Sequence, residues 1–318
     1  MAKRSRVKAR NEHAEHSGGA VGQPGPRQPC PCGSGRRYKA CHGSPHGPAA
    51  TYVTRPFEGL TSECDVIAMR ELVPAATAPL HVADGVSDRE VVLCTLLPMA
   101  TPALVREDGT VWLALQVQHS FGDPSRDLAA VLEQALAAEP GSAIGLTDPP
   151  GEGPRLQDLV ADGPLEVTVH EGFDFWVADQ DDPGGSMGAA LENANAAANA
   201  TRRLSSVEAA YWTDVGTKEH LRWVMPHGEE RLLSALARLH AAGKDSVAEG
   251  SRLVGMFRTH GVLAPVWDLP LGTGAEVLEE PAASFAKELE AALADESPLT
   301  APQRSARSGL TNRQLTIR

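Results

Sequence analysis

The chain has 318 residues, 42% of them hydrophobic, and a formal net charge of −12 at pH 7. That is enough apolar material for a buried core in one or two domains, and no run of 18 apolar residues is present to cross a membrane. The charge is uneven: residues 1–47 carry nine Lys/Arg against Glu12 and Glu15, a net +7; residues 297–318 carry four Arg and no acid, a net +4; residues 48–296 are left with −23. Such an acidic body repels nucleic acid and anionic lipid, while the basic arm over 1–47 attracts both weakly.

Residues 1–29, rich in Lys/Arg and then in Gly, Pro and Gln, hold few apolar anchors and are expected to be a disordered arm. Cys30-Pro-Cys-Gly-Ser-Gly-Arg-Arg-Tyr-Lys-Ala-Cys41-His42 follows, three thiols and an imidazole around a Gly-Ser-Gly turn. Cys30 and Cys32 point to one side of an extended backbone. Gly33 and Gly35 supply positive φ for the return, and Cys41 with His42 closes the set. A borderline-soft cation that takes four tetrahedral S/N ligands fits, and one structural Zn²⁺ is the expected cofactor. Its fourth ligand is His42 or, alternatively, His46. Three thiolates leave the site at −1, which Arg36, Arg37 and Lys39 offset. A segment this short folds with its metal. The odd count of five cysteines and the lack of an apolar leader argue against disulfides and for a cytoplasmic location.

The string CPCGSGRRYKACHG resembles the SEC-C motif, the zinc module at the C-terminus of the SecA preprotein translocase ATPase, whose pattern is C-x-C-x8-C-[HC]. This resemblance implies Cys30, Cys32, Cys41 and His42 as the ligands. It also implies docking, because in SecA-type proteins the module contacts the ribosome, the SecB chaperone and acidic membrane surface. Here it sits at residues 30–43, near the N-terminus, and no Walker A or helicase-like sequence accompanies it, so a translocase motor is excluded. The stretches VTRPFEGL, SRDLAA, PRLQD, HEGFDFWV, SVEAAYW, EHLRWV, EGSRLVG and PVWDLP resemble an actinobacterial family of unknown function that carries this motif. That likeness spans most of the chain and brings no activity with it.

A linker over 44–55 leads to a core over 56–295. Alternation at Val111, Leu113, Leu115 and Val117 predicts a half-buried strand, with Glu90–Leu97 as its hairpin partner across Glu107-Asp-Gly109. Asp123-Pro124 is an N-cap and first-turn pair for a helix with Leu128, Val131, Leu132, Ala135 and Leu136 on one face, stopped by Pro140-Gly141. Asp148–Pro154 reads as a loop. Leu165, Val167 and Val169 alternate, turn at His170-Glu171-Gly172 and return through Phe173, Phe175 and Val177, which predicts a hairpin. An Ala/Asn-rich helix over Met187–Ala198 joins the halves 56–180 and 187–295. In the second half, strands over Val207–Trp212 and His220–Met225 precede a helix over Glu229–Ala242, and Leu253–Arg258 turns at Thr259-His260-Gly261 into Val262–Trp267. The order ββα-ββ thus occurs twice, which suggests a duplication. A helix opened by Pro281 buries Phe285, Leu289 and Leu293, and 296–318 is read as a flexible tail. Hairpins with interspersed helices give an α+β fold, antiparallel sheet with helices packed on one face.

No catalytic residues emerge. Gly184-Gly-Ser186-Met-Gly188 fits a G-x-S-x-G elbow but follows a polar loop instead of a buried strand. Gly272-Thr-Gly274 opens like a dinucleotide loop and lacks the third glycine. His170, Glu171 and Asp174 crowd a predicted hairpin tip, as turn residues commonly do. Trp112, Trp176, Trp212, Trp223 and Trp267 fall in predicted strands, where aromatics pack across strands, and Cys64 and Cys94 read as small buried hydrophobes. The preferred functional reading is a zinc-binding cytoplasmic adaptor whose SEC-C-like module docks a protein such as the ribosome or a chaperone. The alternatives are an enzyme of unrecognised class that uses the module for targeting, and an RNA- or membrane-surface binder working through the arm.

Overall fold

The first regular element of the core is a helix with no apolar stripe to announce it. In a computed structural model, which describes residues 26–29, 37–40, 52–177 and 186–313, α1 (Glu63–Glu71) is buried continuously from Glu63 to Met69. Two units form, Met1–Ala50 and Thr51–Arg318, and α1 lies in the second. Because it is enclosed on all sides, its charged residues need internal partners. Asp65 accepts hydrogen bonds from Tyr211 Oη at 2.6 Å and from Arg203 Nη2 at 2.9 Å and Nε at 3.1 Å. Glu63 is held by Arg55 at 2.6 and 2.7 Å. Burial, with Asp65 beside it, pushes the Tyr211 hydroxyl well above its ordinary pKa, so it stays protonated and donating.

The first sheet comprises β1 (Ala76–Pro79), β2 (Val91–Cys94), β3 (Ala103–Val105), β4 (Val111–Ala114), β5 (Ala143–Ile144) and β6 (Thr168–Val169), in the order β5-β3-β4-β2-β1-β6. Every pair is antiparallel except β2 with β4, which run parallel from Val91↔Val111 to Cys94↔Ala114. The expected hairpin between Glu90–Leu97 and Val111–Val117 is therefore corrected. The turn at Glu107-Asp-Gly109 is real, with Gly109 at φ +89°, but its other arm is the three-residue β3. A turn at Pro98–Ala100, with Met99 and Ala100 in the left-handed region, carries the chain past β4 and leaves β2 on the opposite edge.

On one face of this sheet lie α1, α2 (Pro124–Ala137) and the short α3 (Leu156–Leu159). Asp123 caps α2 as expected, accepting from the N–H of Ser125 and Arg126, with Pro124 in the first turn. The opposite face is covered by Phe173, Phe175 and Trp176 and by α4 (Ser186–Ala197), which matches the expected Ala/Asn-rich helix. The hairpin expected over 165–177 does not form. Only Thr168–Val169 joins the sheet, against β1, and Asp174–Trp176 is a 3₁₀ turn. Apolar residues at alternate positions satisfy the sheet here by folding beneath it: Phe175 stacks on Trp112 at 5.8 Å, and Asn195 of α4 accepts the Phe173 N–H at 2.7 Å. Trp176 is accordingly not in a strand.

The second half follows its pattern closely. β7 (Thr201–Arg203), β8 (Ala210–Asp214), β9 (Glu219–Trp223), β10 (Arg252–Thr259) and β11 (Val262–Leu269) form an antiparallel sheet in the order β10-β11-β9-β8-β7. His260 at φ 48° and Gly261 at φ +80° make the two-residue turn between β10 and β11, a backbone shape that suits the twist of a hairpin. Val262, Ala264 and Val266 face the first-half core, whereas Leu263, Trp267 and Leu269 face the other way. Pro265 interrupts the β9–β11 ladder between Val266↔Arg222 and the Met225↔Leu263 bridge, because it has no N–H to give. α5 (Glu229–Ala241), α6 (Glu279–Ala294) and α7 (Ala301–Thr311) pack on the outer face around Trp223, Trp267 and Phe285.

The fold is thus α+β, with two mostly antiparallel sheets. The two sheets differ in strand number and pairing, so the recurrence of ββα-ββ in sequence is not matched by a repeated topology. A single apolar cluster runs from Phe57 through α1 to Tyr211 and Val266, which joins the two expected halves in one unit. The expected flexible tail is corrected over 301–311: Thr300 and Gln303 form a capping box, Leu310 is buried, and beyond the helix the Arg313 carbonyl accepts the Met256 N–H of β10 at 3.2 Å. No helix among the described residues is long and apolar enough to cross a membrane.

Two stability measurements follow from this packing. In urea unfolding, Asp65→Ala should cost about 3 kcal/mol because it strands Arg203, and Tyr211→Phe about 1.5 kcal/mol. Losses below about 1 kcal/mol for both would show that the buried network is dispensable. Removal of residues 297–318 should lower stability by at least about 2 kcal/mol through the exposed partners of Leu310, whereas a truly free tail would leave the midpoint unchanged.

Candidate functional site

The segments that flank the Cys/His stretch are tied to one another. Pro29 and Arg37 form an antiparallel bridge, and Tyr38–Ala40 is a 3₁₀ turn. The Tyr38 N–H donates to the Gln28 carbonyl at 2.7 Å, and the Lys39 N–H to Pro26 at 2.9 Å. The chain immediately before Cys30 is thereby drawn to the chain immediately before Cys41. Cys30, Cys32, Cys41 and His42 themselves, with His46, lie outside the described residues. Their donor chemistry, three thiols and one imidazole, fits Zn²⁺. Among the described residues, no cluster of His, Cys, Asp and Glu could hold a metal.

Within the core, the loop that opens like a dinucleotide site has structural employment. The Gly272 and Gly274 N–H groups point at the carboxylate of Glu219, at 2.5 and 2.9 Å, and the Trp212 indole donates to the same group at 2.7 Å. An acidic side chain of the protein itself thus fills the loop that resembled a phosphate cradle. Burial alone would raise the Glu219 pKa, but these donors override it and hold it below the ordinary glutamate value. Glu279 is treated alike by the N–H groups of Ser205 and Ser206, at 2.9 and 2.7 Å. Ser186 opens α4, its two preceding glycines lie outside the described residues, and no strand stands between Val169 and Ser186 among those that are described.

His170, Glu171 and Asp174 go to three different partners. His170 Nε2 is 2.8 Å from Thr77 Oγ1, Glu171 pairs with Arg202 at 3.1 Å, and Asp174 accepts from Asn195 at 3.4 Å. They tie the 170–177 segment to its neighbours. Cys64 and Cys94 are buried free thiols, as expected for small core residues.

One concave site was invisible in the sequence. The N-terminus of α1, the β7–β8 turn, the segment after β9 and one face of α6 enclose a cleft of about 330 Å³. Cys64, Glu208, Trp223, Met225, His227, Leu289 and Glu290 are among its lining. Burial, reinforced by Glu63, Glu208 and Asp65, pushes the Cys64 thiol far above its usual range, so it is no thiolate nucleophile. Burial lowers the His227 pKa against the pull of Glu290, 3.8 Å away. These residues come from four separated segments, and no local spacing joins them.

Two models of known families match the chain. One, described as a family of unknown function (DUF5926), matches residues 56–318, and the SEC-C motif matches residues 27–44. No curated protein and no solved structure matches.

The Glu219 contacts make stability depend on pH in a defined direction. A carboxyl whose folded pKa is depressed stabilises the fold above its unfolded pKa, and that contribution fades as pH falls through the folded value. Glu219→Gln should therefore cost about 2 kcal/mol at pH 7, with the gap to the parent chain narrowing below about pH 4. Thermal unfolding of both proteins across that range reads the effect; a gap that stays constant with pH would refute the assignment.

Proposed function

The chain belongs to the family of unknown function DUF5926, and from that premise we propose that it is a zinc-dependent cytoplasmic adaptor. Its SEC-C module docks a protein partner while the acidic core engages the rest of the assembly. The observation that carries this reading is the SEC-C match at residues 27–44, supported by the Pro29–Arg37 bridge that closes the segment. Cys30, Cys32, Cys41 and His42 hold the ion, which supplies no reaction: it cross-links a stretch too short to bury a core. Arg36, Arg37 and Lys39 give that stretch positive charge. By analogy with other carriers of the motif, the ribosome or a chaperone is the partner. The basic residues of 1–47 add salt-sensitive attraction to anionic surfaces.

An adaptor role also agrees with the core, where the Gly272–Gly274 loop that opens like a dinucleotide loop is filled by the Glu219 side chain. Loss of the ion should be local. Cys32→Ser is expected to lower bound zinc from about one per chain to near none, while the main unfolding transition of 51–318 stays put. The same variant, and a chain lacking residues 1–47, should fail to co-sediment with ribosomes or bind purified chaperone in conditions where the full chain does. Retained zinc in the variant would displace Cys32 from the ligand set. Partner binding indifferent to both changes would remove the module from the function.

A further inference from the structure

β10 has one paired side and one open side. It stands at the end of the second sheet, and its only strand partner among the described residues is β11. Which of its backbone groups face outward follows from the turn. The two-residue loop makes Thr259↔Val262 a hydrogen-bonded pair, so Arg258↔Leu263 is not one, Phe257↔Ala264 is, and Met256↔Pro265 is not. Two further facts agree. Pro265 has no N–H to give, and the Leu263 carbonyl is turned away from β10, where it accepts the Met225 N–H at 3.1 Å. The N–H and carbonyl of Met256 and of Arg258 therefore point away from the sheet. Only one of these four groups is met among the described residues: the Met256 N–H donates to the Arg313 carbonyl at 3.2 Å.

That contact has a direction built into it. In an antiparallel ladder the residue facing Met256 would exchange both bonds with it, but the Arg313 N–H is already given to the Leu310 carbonyl at 3.0 Å. A carbonyl contact alone is the parallel pattern, in which Met256 gives its N–H to Arg313 and takes an N–H from two residues further on. The chain leaving α7 thus meets β10 at the start of a parallel ladder. After Arg313 come Gln314-Leu315-Thr316-Ile317-Arg318, which lie outside the described residues. They contain no Gly or Pro, and polar and apolar residues alternate, the period of a strand. Extended, five residues reach about 16 Å, more than the step from Met256 to Thr259 requires.

We propose that residues 314–318 dock on β10 as a sixth, parallel strand of the second sheet. The Leu315 N–H meets the Met256 carbonyl, the Arg258 N–H meets the Leu315 carbonyl, and the Ile317 N–H meets the Arg258 carbonyl. Leu315 then lies beside Phe257 and Ile317 beside Thr259, on the face of β10 that Phe257 turns to the first-half core. The occupant is this chain's own end because Arg313 already makes the first contact of the ladder. Amide hydrogen exchange, followed by NMR on the isotope-labelled full chain, tests this beside a chain ending at Arg313 and the variants Leu315→Pro and Thr316→Pro. The Arg258 N–H is expected to be protected in the full chain. In the shortened chain and in Leu315→Pro it should exchange about tenfold faster, the effect of one net hydrogen bond. Thr316 turns its N–H away from β10, so Thr316→Pro should keep the protection. The Phe257 N–H, bonded within the β10–β11 ladder, is the reference, and unchanged exchange there shows that a variant is folded. Equally fast Arg258 exchange in the full and shortened chains would overturn the proposal, as would equal loss in both proline variants. Protection that survives removal of 314–318 and grows with protein concentration would assign the edge to a second copy, and overturn it too.

Discussion

Everything in the 51–318 unit is arranged around one carboxylate, that of Asp65. It sits in a helix with no solvent-facing side and is reached by an arginine and a tyrosine that come 138 and 146 residues later in the chain. Such a group is tolerated only when its lone pairs are met, and the second sheet is where they are met. The rest of α1 is fixed in the same manner. Gln116 donates to the Met69 and Val73 carbonyls, Arg222 to that of Leu72, and His260 is 2.8 Å from Glu71. The helix C-terminus, whose carbonyls would otherwise be orphaned, is satisfied from both sheets at once. The two halves are therefore one cooperative unit, because α1 cannot be dry until both have formed.

Legibility followed the physics of each segment. The second half could be read because its strands each turn one face to helices and the other to the core, so Val262 to Leu269 alternate cleanly, and because His260-Gly261 is a turn with a backbone requirement. Leu232, Leu236 and Leu239 of α5 lie on a single buried face, which is what a 3.6-residue period reports. In the first half the strands are two to four residues long and partly parallel, too brief for alternation to fix a partner. Phe173 and Phe175 alternate like strand residues but pack as the underside of a sheet. α1 gave no signal at all, since a helix buried on every side has no polar stripe.

The same contrast governs the sites. The SEC-C motif, C-x-C-x8-C-H, is local in sequence and carries its own pattern, so it was legible although Cys30, Cys32, Cys41 and His42 lie outside the described residues. The cleft is assembled from positions 64, 208, 227 and 290, and only the fold brings them together. Where the sequence hinted at a dinucleotide loop, at Gly272 and Gly274, the structure supplies Glu219; at Ser205 and Ser206, which carried no such hint, it supplies Glu279. A body with −23 over 48–296 thus occupies its own backbone donor clusters with acids, and anionic ligands find these two already taken.

A residue just past the last helix also guards a sheet. β10 is an edge strand of eight residues, long enough to template another chain on its free side. Arg313 occupies that side twice, its carbonyl taking the Met256 N–H and its guanidinium reaching the Leu253 carbonyl at 3.4 Å. α7 is thereby a stopper against edge-to-edge polymerisation as well as a packing element. A cell that clips the protein ahead of this helix creates a sticky fragment in addition to a less stable one.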